Sequence, residues 1–292
     1  MSKVDISVTG AGGFIGTELR RQLIEAGHTV HAVPRAASDS EMVRLLSSAD
    51  AVIHLAGESV NQRWTPAAKK RIEESRLRGT QRLVDILARQ SKRPRVLVCA
   101  SAVGYYGSRG DQVLTEISTP GSDFLARVVI GWEGAAQAAE ALGIRVVRMR
   151  LGVVLGNGGA LTTMLKPFRM GVGGRLGSGR QWMAWIHIAD VVKLILFALD
   201  YSAIRGAVNA TAPHPVTNEE FTDRLALVLR RPAFLPVPGF ALKIVLGEMA
   251  EMVLASQRVL PAVAISSGFS FQYPELQPAL ENILGSGTAE GQ

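Results

Sequence analysis

The chain has 292 residues, of which 47% are hydrophobic and 20% are charged, and its formal net charge is +7. This composition excludes a disordered chain, and the length suits one α/β domain with a smaller appendage. The only cysteine, Cys99, excludes an internal disulfide and a cysteine-built zinc site, so we expect no metal and a cytoplasmic protein.

The excess of basic residues raises the question of nucleic-acid binding. Residues 63–95 contain eleven Lys and Arg residues against three acidic ones. No nucleic-acid motif accompanies them and aromatic residues are sparse, so we expect no nucleic-acid partner. An anionic phosphorylated cofactor and a solvated helix face explain the charge more simply. The apolar runs are too short to span a bilayer, and the N-terminus leads directly into a strand, which predicts neither a membrane segment nor a signal peptide.

The stretch SVTGAGGFIGTE, residues 7–18, carries the strongest functional signal. An apolar, β-branched run at 4–8 predicts a strand before it, and helix-period apolar residues at 15–26 predict a helix after it. A glycine-rich turn in this position lets backbone N–H groups approach a pyrophosphate, and the helix N-terminus adds partial positive charge. The sequence therefore predicts a dinucleotide site at Gly10, Gly13 and Gly16.

The residues after the second predicted strand, 29–33, indicate which dinucleotide binds. An enzyme that prefers NAD usually has an acidic residue there for the ribose hydroxyls, whereas an Arg accommodates the 2′-phosphate of NADP. This chain has Pro34 and Arg35, and no acid before Asp39. We predict NADP(H) as the cofactor and Arg35 as its 2′-phosphate ligand.

Strands and helices alternate along the following residues, which predicts a doubly wound parallel sheet of the Rossmann type. The strand at 51–55 runs into Ala56 and Gly57, small residues that leave room for a ligand, and the strand at 96–100 ends at Ser101. A further strand is predicted at 144–151, and helices are predicted at 69–89, 123–142 and 216–230.

The domain organisation follows from changes in composition. We predict a Rossmann domain over 1–235, with substrate-side insertions at about 156–190 that include the glycine-rich loop at 171–179. Prolines at 232, 236 and 238 mark its end. A small, mainly helical C-terminal domain over 236–292 follows, with an apolar helical segment at 240–254 and a polar tail at 285–292.

Several of these motifs resemble the extended short-chain dehydrogenases/reductases, the nucleotide-sugar epimerase/dehydratase group. They are TGAGGFIG (9–16), DAVIHLAG (50–57) and a serine-ended strand before YYG (105–107). Longer stretches resemble an atypical subgroup known only as epimerase family proteins, which has its own C-terminal domain of unknown role. These stretches are RWTPAAKKRIEESR (63–76), SAVGYYG (101–107), FLARVVIGWE (124–133), GSGRQWMAWIHIAD (177–190) and RPAFLPVPGFALKIVLGEMAE (231–251).

This resemblance implies a small-molecule substrate of unknown identity, favours a homodimer, and assigns roles to individual residues. Arg76 holds the position of a usual Asn, and its guanidinium is suited to pair with a phosphate. Val153 replaces an Asn that usually contacts the sugar. The implied cofactor contacts are Gly10, Gly13, Phe14, Ile15, Gly16, Arg35, Ala36, Leu55, Ala56, Gly57 and Arg76.

The resemblance also exposes a gap in the catalytic machinery. Ordinary members use a Ser, a Tyr and a Lys four residues after the Tyr, because the Lys lowers the pKa of the Tyr for proton exchange. Ser101 supplies the serine. With Glu133 as the acid that follows the Lys, the Tyr and Lys positions hold Leu125 and Val129, and none of the four tyrosines has a Lys four residues on.

Neighbouring residues are candidates for the missing proton donor. Tyr105 and Tyr106 both follow Ser101 closely, but Tyr106 with Gly107 matches a common structural pair of the family. We therefore take Ser101 and Tyr105 as the candidate catalytic residues, with His187 and Trp185 as further candidates from the substrate side.

Two functions remain open on the sequence alone. One is an NADP(H)-binding epimerase or oxidoreductase with an atypical active site. The other is a non-catalytic NADP(H) sensor or scaffold protein, which the methionine-rich segment around Met249 and Met252 supports because flexible apolar surfaces suit adaptable binding.

Overall fold

The computed structural model describes residues 3–285, so the predicted polar tail lies outside the described residues except for Gly285. The strands are β1 (Asp5–Thr9), β2 (Thr29–Val33), β3 (Ala51–His54), β4 (Val96–Ala102), β5 (Val113–Leu114), β6 (Arg145–Leu151), β7 (Val153–Leu155), β8 (Trp182–Met183), β9 (Trp185–His187), β10 (Gly206–Ala210), β11 (Val216–Thr217) and β12 (Arg258–Val259).

The helices that flank these strands are mostly two to six turns long. They are α1 (Phe14–Glu25), α2 (Asp39–Leu46), α3 (Pro66–Ala88), α4 (Phe124–Gln137), α5 (Gly159–Arg169), α6 (Ile188–Asp200), α7 (Asn218–Leu229), α8 (Gly239–Leu246), α9 (Ala250–Leu254), α10 (Ala262–Ser266) and α11 (Leu276–Gly285). Short 3-10 turns lie at Val103–Tyr106, Ala138–Leu142 and Gly247–Met249. Within residues 3–285, no helix is both long enough and apolar enough to cross a membrane.

Six parallel strands form the central sheet, in the order β10-β6-β4-β3-β1-β2. β2 lies on one side of β1, at the edge of the sheet. β3, β4, β6 and β10 follow one another on the other side of β1. The strand order therefore reverses between β1 and β3, and ligands of open α/β sheets bind outside the carboxyl ends of the strands at such a point. The predicted doubly wound parallel sheet is confirmed.

The two faces of this sheet are buried in separate apolar cores. Along β3, Ile53 packs in the core beneath α1 and α6, whereas its neighbour Val52 packs in the core beneath α2, α3 and α4. Both side chains are fully buried, as the alternation of side chains along a strand covered on both faces requires. The sheet is therefore a rigid support for the loops at its carboxyl edge.

The chain after residue 235 is mainly helical, as predicted, and its last part returns to the main body. The carboxylate of Asp190, which is fully buried in α6, accepts hydrogen bonds from the backbone N–H groups of Gln272 at 2.7 Å and Tyr273 at 2.9 Å. Helix α11 then packs with α5 and α7 in a third apolar core. The boundary at 235/236 itself stays a prediction.

His54 ends β3 beside the predicted site and ties three elements together. Its Nδ1 lies 2.6 Å from Thr9 Oγ1 of β1, and its Nε2 lies 3.0 Å from Thr80 Oγ1 of α3. The ring is 3% exposed, and this burial lowers the pKa of His54 to about 4. The imidazole is therefore a neutral structural element at physiological pH.

This burial predicts a loss of stability in mild acid. The unfolded chain takes up a proton at His54 near pH 6.5, whereas the folded protein does not until about pH 4. The free energy of unfolding should therefore fall as the pH drops from about 6.5 to about 4, by about 3 kcal/mol from this group.

Urea unfolding over this pH range measures the slope. His54→Gln should flatten it, and His214→Gln, at an exposed histidine, is the matched control. An unchanged slope in His54→Gln would contradict the assignment.

Candidate dinucleotide site and its surroundings

The glycine turn after β1 lies directly against the end of β3. Gly10 has a φ of +70°, and a Cβ on it would lie 2.7 Å from the carbonyl carbon of Leu55 and 2.8 Å from the backbone nitrogen of Ala56. Only glycine meets both the steric and the conformational demand. The structure thus brings together three of the predicted cofactor contacts, namely Gly10, Leu55 and Ala56.

Helix α1 presents its N-terminus to this turn. Its N-cap residue is Gly13, which has no side chain to satisfy the first N–H groups, and its first turn has no acidic residue. A Cβ on Gly16 would collide with the Gly10 carbonyl oxygen, so glycine there allows the helix to sit close to the turn. Open N–H groups and a positive helix end form a cradle for an anion, and this geometry fits a dinucleotide pyrophosphate.

Phe14 connects this cradle to a second glycine turn, which the sequence analysis did not identify. Cβ atoms on Gly156, Gly158 and Gly159 would lie 2.8–2.9 Å from atoms of the Phe14 ring. The N-terminus of α5 is therefore held beside that of α1 by a ring packed on glycine backbone. The sequence signal was present in the cluster of three glycines between 156 and 159. Ile15 packs against the core beneath α1 and α6.

Arg35 and Ala36 lie just beyond the end of β2, and both are exposed. The Arg35 side chain is 72% exposed, and its Nη2 is 2.9 Å from Glu58 Oε2, in the loop after β3. Because β2 and β3 flank β1, this ion pair connects the two sides of the crevice outside β1. The guanidinium is thus placed at the carboxyl edge, as the 2′-phosphate assignment requires.

Arg76 reaches the same crevice from α3. A Cβ on Gly57 would lie 3.4 Å from the Arg76 guanidinium carbon, and Arg76 Nη1 donates to the Glu58 carbonyl oxygen at 2.9 Å. The guanidinium also lies 5.1 Å from the centre of the Trp132 ring. Burial lowers its pKa. Within residues 3–285 no carboxylate forms a salt bridge with this side chain, and attraction to the Glu58 carboxylate only partly offsets the effect of burial on its pKa.

Ser101 lies in a buried charge network at the end of β4. Its hydroxyl is 2% exposed and donates to Glu133 Oε1 at 2.6 Å. The same carboxylate accepts from Arg150 at 2.7 and 2.9 Å and from Arg148 at 3.3 Å. Burial tends to lower the pKa of Arg150, but its hydrogen bonds and attraction to Glu133 outweigh this and raise it. The Ser101 hydroxyl is therefore engaged within the protein.

The two neighbouring tyrosines differ in their surroundings. The Tyr106 hydroxyl donates to Asn209 Oδ1 at 2.6 Å and accepts from Arg150 at 3.0 Å, and burial raises the pKa of Tyr106 to about 12. Tyr106 is thus part of the network. The Tyr105 ring is half-buried, with the Arg150 guanidinium carbon 3.5 Å from its centre. Tyr105 is the one placed beside the network rather than inside it.

The further candidates, His187 and Trp185, have structural contacts. His187 Nδ1 accepts a hydrogen bond from the backbone N–H of Ala189 at 3.1 Å and so caps α6. Trp185 is fully buried, and its indole N–H donates to the carbonyl of His214 at 3.0 Å. These contacts give both residues structural roles, and their catalytic roles stay predictions.

Comparison with known proteins places this chain in a family. A model described as the NAD dependent epimerase/dehydratase family matches residues 6–210. The chain belongs to this family. A second model, a domain of unknown function (DUF1731), matches residues 237–283 of this epimerase family member. The resemblance indicated by the sequence motifs is confirmed.

Relatives match nearly the whole chain. The epimerase family protein SDR39U1 homolog, chloroplastic, of Arabidopsis thaliana is 43% identical over 97% of this chain and 87% of its own length. The epimerase family protein YfhF of Bacillus subtilis is 39% identical over 96% and 98%. Among solved structures, the human epimerase family protein SDR39U1 (isoform2) with NADPH has a TM-score of 0.90 and 36% identity over 96% of this chain and 99% of that one.

Leu125 and Val129, which the family resemblance predicts at the usual Tyr and Lys positions, both lie on α4. A Cβ on Gly104, in the 3-10 turn after β4, would lie 3.4 Å from Leu125 Cβ and 3.9 Å from Val129 Cγ2. Leu125 also packs against an apolar cluster that includes Trp64 and Met249. Helix α4 thus presents an apolar face to the turn that carries Tyr105.

The buried network makes Ser101 a contributor to stability. Glu133→Gln leaves the buried Arg150 charge uncompensated, so it should lower the free energy of unfolding by about 3 kcal/mol. Ser101→Ala removes one buried hydrogen bond and should lower it by about 1 kcal/mol.

Urea unfolding measures both effects, with the exposed Ser48→Ala as the control. Equal stability of Ser101→Ala and the unaltered chain would instead indicate a serine hydroxyl free for substrate.

Proposed function

We propose that this epimerase family member binds NADP(H) and acts as an oxidoreductase or epimerase on a small molecule whose identity is open. The observation that supports NADP(H) as the cofactor is the exposed Arg35 at the end of β2, beside a glycine cradle suited to a pyrophosphate. The human relative whose solved structure is described as a complex with NADPH supports the same cofactor.

The residues that would hold NADP(H) fall into three groups along the carboxyl edge of the sheet. Bound NADP(H) would supply hydride transfer. The glycine cradle and the N-terminus of α1 would bind the pyrophosphate, Arg35 and Ala36 the 2′-phosphate, and Leu55, Ala56 and Gly57 the adenosine side. Arg76 contributes a partly buried positive charge with which no carboxylate of residues 3–285 forms a salt bridge. Phe14 and Ile15, the first two residues of α1, would complete the pyrophosphate site.

The location and assembly belong to this proposal as well. The single cysteine supports a cytoplasmic protein, and the family resemblance supports a homodimer. The lysines and arginines on α3 are interpreted as a solvated helix face rather than a nucleic-acid surface. Three of them form ion pairs: Lys69 with Glu248, Arg78 with Glu74, and Arg82 with Asp39.

Arg35→Ala tests the cofactor assignment. It should weaken NADPH binding about tenfold, because a charged hydrogen bond to phosphate is lost, and should not weaken NADH binding. Nicotinamide fluorescence titration measures both affinities. Arg44→Ala, at an exposed arginine of α2, is the control. Tighter binding of NADH than of NADPH by the unaltered chain would refute the assignment.

A second candidate is a non-catalytic NADP(H) sensor or scaffold. The observation that favours it is the apolar pair Leu125 and Val129 beside Gly104, together with the engaged hydroxyl of Ser101. Neither apolar side chain can exchange a proton. In the enzyme, Tyr105 is the remaining candidate for that role.

Turnover distinguishes these two functions. Protein loaded with NADPH is mixed with fractions of a metabolite pool, and nicotinamide fluorescence reports consumption. If the protein is an enzyme, NADPH should be consumed in one fraction. Tyr105→Phe should then reduce this consumption without changing the affinity for NADPH. Tight binding without consumption in any fraction would instead support the sensor.

A further inference from the structure

The Arg35–Glu58 ion pair spans the crevice in which the adenosine half of the cofactor is proposed to lie. Arg35 is two residues beyond the end of β2, and Glu58 is four residues beyond the end of β3. These strands pair with opposite edges of β1, whose carboxyl end leads into the glycine turn. The ion pair therefore forms a bridge between the two loops over the end of β1. Its Arg35 Nη2 and Glu58 Oε2 atoms lie 2.9 Å apart.

The Glu58 side of this bridge is fixed, whereas the Arg35 side is free to move. The backbone N–H of Glu58 donates to Ser75 Oγ at 3.0 Å, and its carbonyl accepts from Arg76 at 2.9 Å, so α3 holds Glu58 at both backbone groups. The Glu58 side chain is 21% exposed, against 72% for Arg35. When the bridge opens, Arg35 is the partner that swings away.

The Glu58 carboxylate is the shared anionic partner of Arg35 and Arg71. Besides Arg35, it has Arg71 Nε at 3.9 Å and the Gln62 amide at 3.4 Å. The hydrogen bond from Arg35 is the main cause that lowers the pKa of Glu58, so the carboxylate is charged at neutral pH. A phosphate that reaches Arg35 meets this negative charge.

We infer that Glu58 is a specificity-determining residue that competes with the 2′-phosphate of NADP(H) for Arg35. The inference rests on the proposed binding of NADP(H). Either cofactor must open the bridge to reach the adenosine crevice. NADPH then gives Arg35 a new anionic partner, whereas NADH leaves it with ribose hydroxyls. The carboxylate weakens NADPH binding further because it repels the phosphate.

Glu58→Gln tests the competition because it removes the charge and keeps the size. At low salt it should tighten NADPH binding about three- to fivefold, the range of an exposed ion pair, and should tighten NADH binding less because NADH lacks the repelled phosphate. The gain should shrink at high salt, where the charges are screened.

Two controls separate this effect from a general change in charge. Glu25→Gln makes the same change of net charge on the exposed Arg21–Glu25 pair at the far end of α1, and it should leave both affinities unchanged. In an Arg35→Ala background the bridge is already absent, so Glu58→Gln should change NADPH affinity less than it does beside Arg35. Isothermal titration calorimetry with NADPH and NADH measures all five chains.

The outcomes separate the inference from the proposed function. If NADPH binds the unaltered chain and Glu58→Gln binds it equally well or more weakly, Glu58 does not compete and the inference is overturned. A gain of the same size in Glu25→Gln would overturn it too. If the unaltered chain and both glutamine variants bind neither cofactor, the proposed function fails and the inference falls with it.

Discussion

The close approach of Gly10 to the end of β3 is the contact on which the rest of the site depends. Because no Cβ is present, the turn after β1 lies against the Leu55–Ala56 peptide, and α1 begins immediately beyond it at Phe14. This contact brings a helix N-terminus to the point where the strand order reverses. Arg35 and Arg76 then approach the same crevice from the end of β2 and from α3. A methyl group at position 10 would separate these parts.

A second feature, the buried network around Glu133, holds the ends of β4 and β6 beside Tyr105. Two arginines, a serine and, through Arg150, Tyr106 surround one carboxylate at the ends of β4 and β6. Such a cluster is stable only when every charge has its partner, so it fixes the strand ends. Tyr105 stays beside the network, and the adjoining face of α4 is apolar at Leu125 and Val129.

Local patterns predicted the elements with strong periodicity and missed the others. The predicted strand at 29–33 is β2, which lies between Gly27 and Pro34, and α1 begins one residue from its predicted start, after Gly13. The strand β10 and the helices α5 and α11 are not evident from the sequence. The strand has only five residues, and both helices contain a proline, which obscures their helical pattern. The predicted helical segment at 240–254 is interrupted in the structure at Gly247, whose φ is +62°.

The sequence by itself determined the sheet type, the glycine turn and the arginine after β2, because each follows from neighbouring residues. Only the tertiary structure decided which partners these groups have. Glu58 is 23 residues from Arg35, and Glu133 is 32 residues from Ser101. No local periodicity encodes such pairs. They exist because parallel strands bring their carboxyl ends, and the loops that follow, to one edge of the sheet.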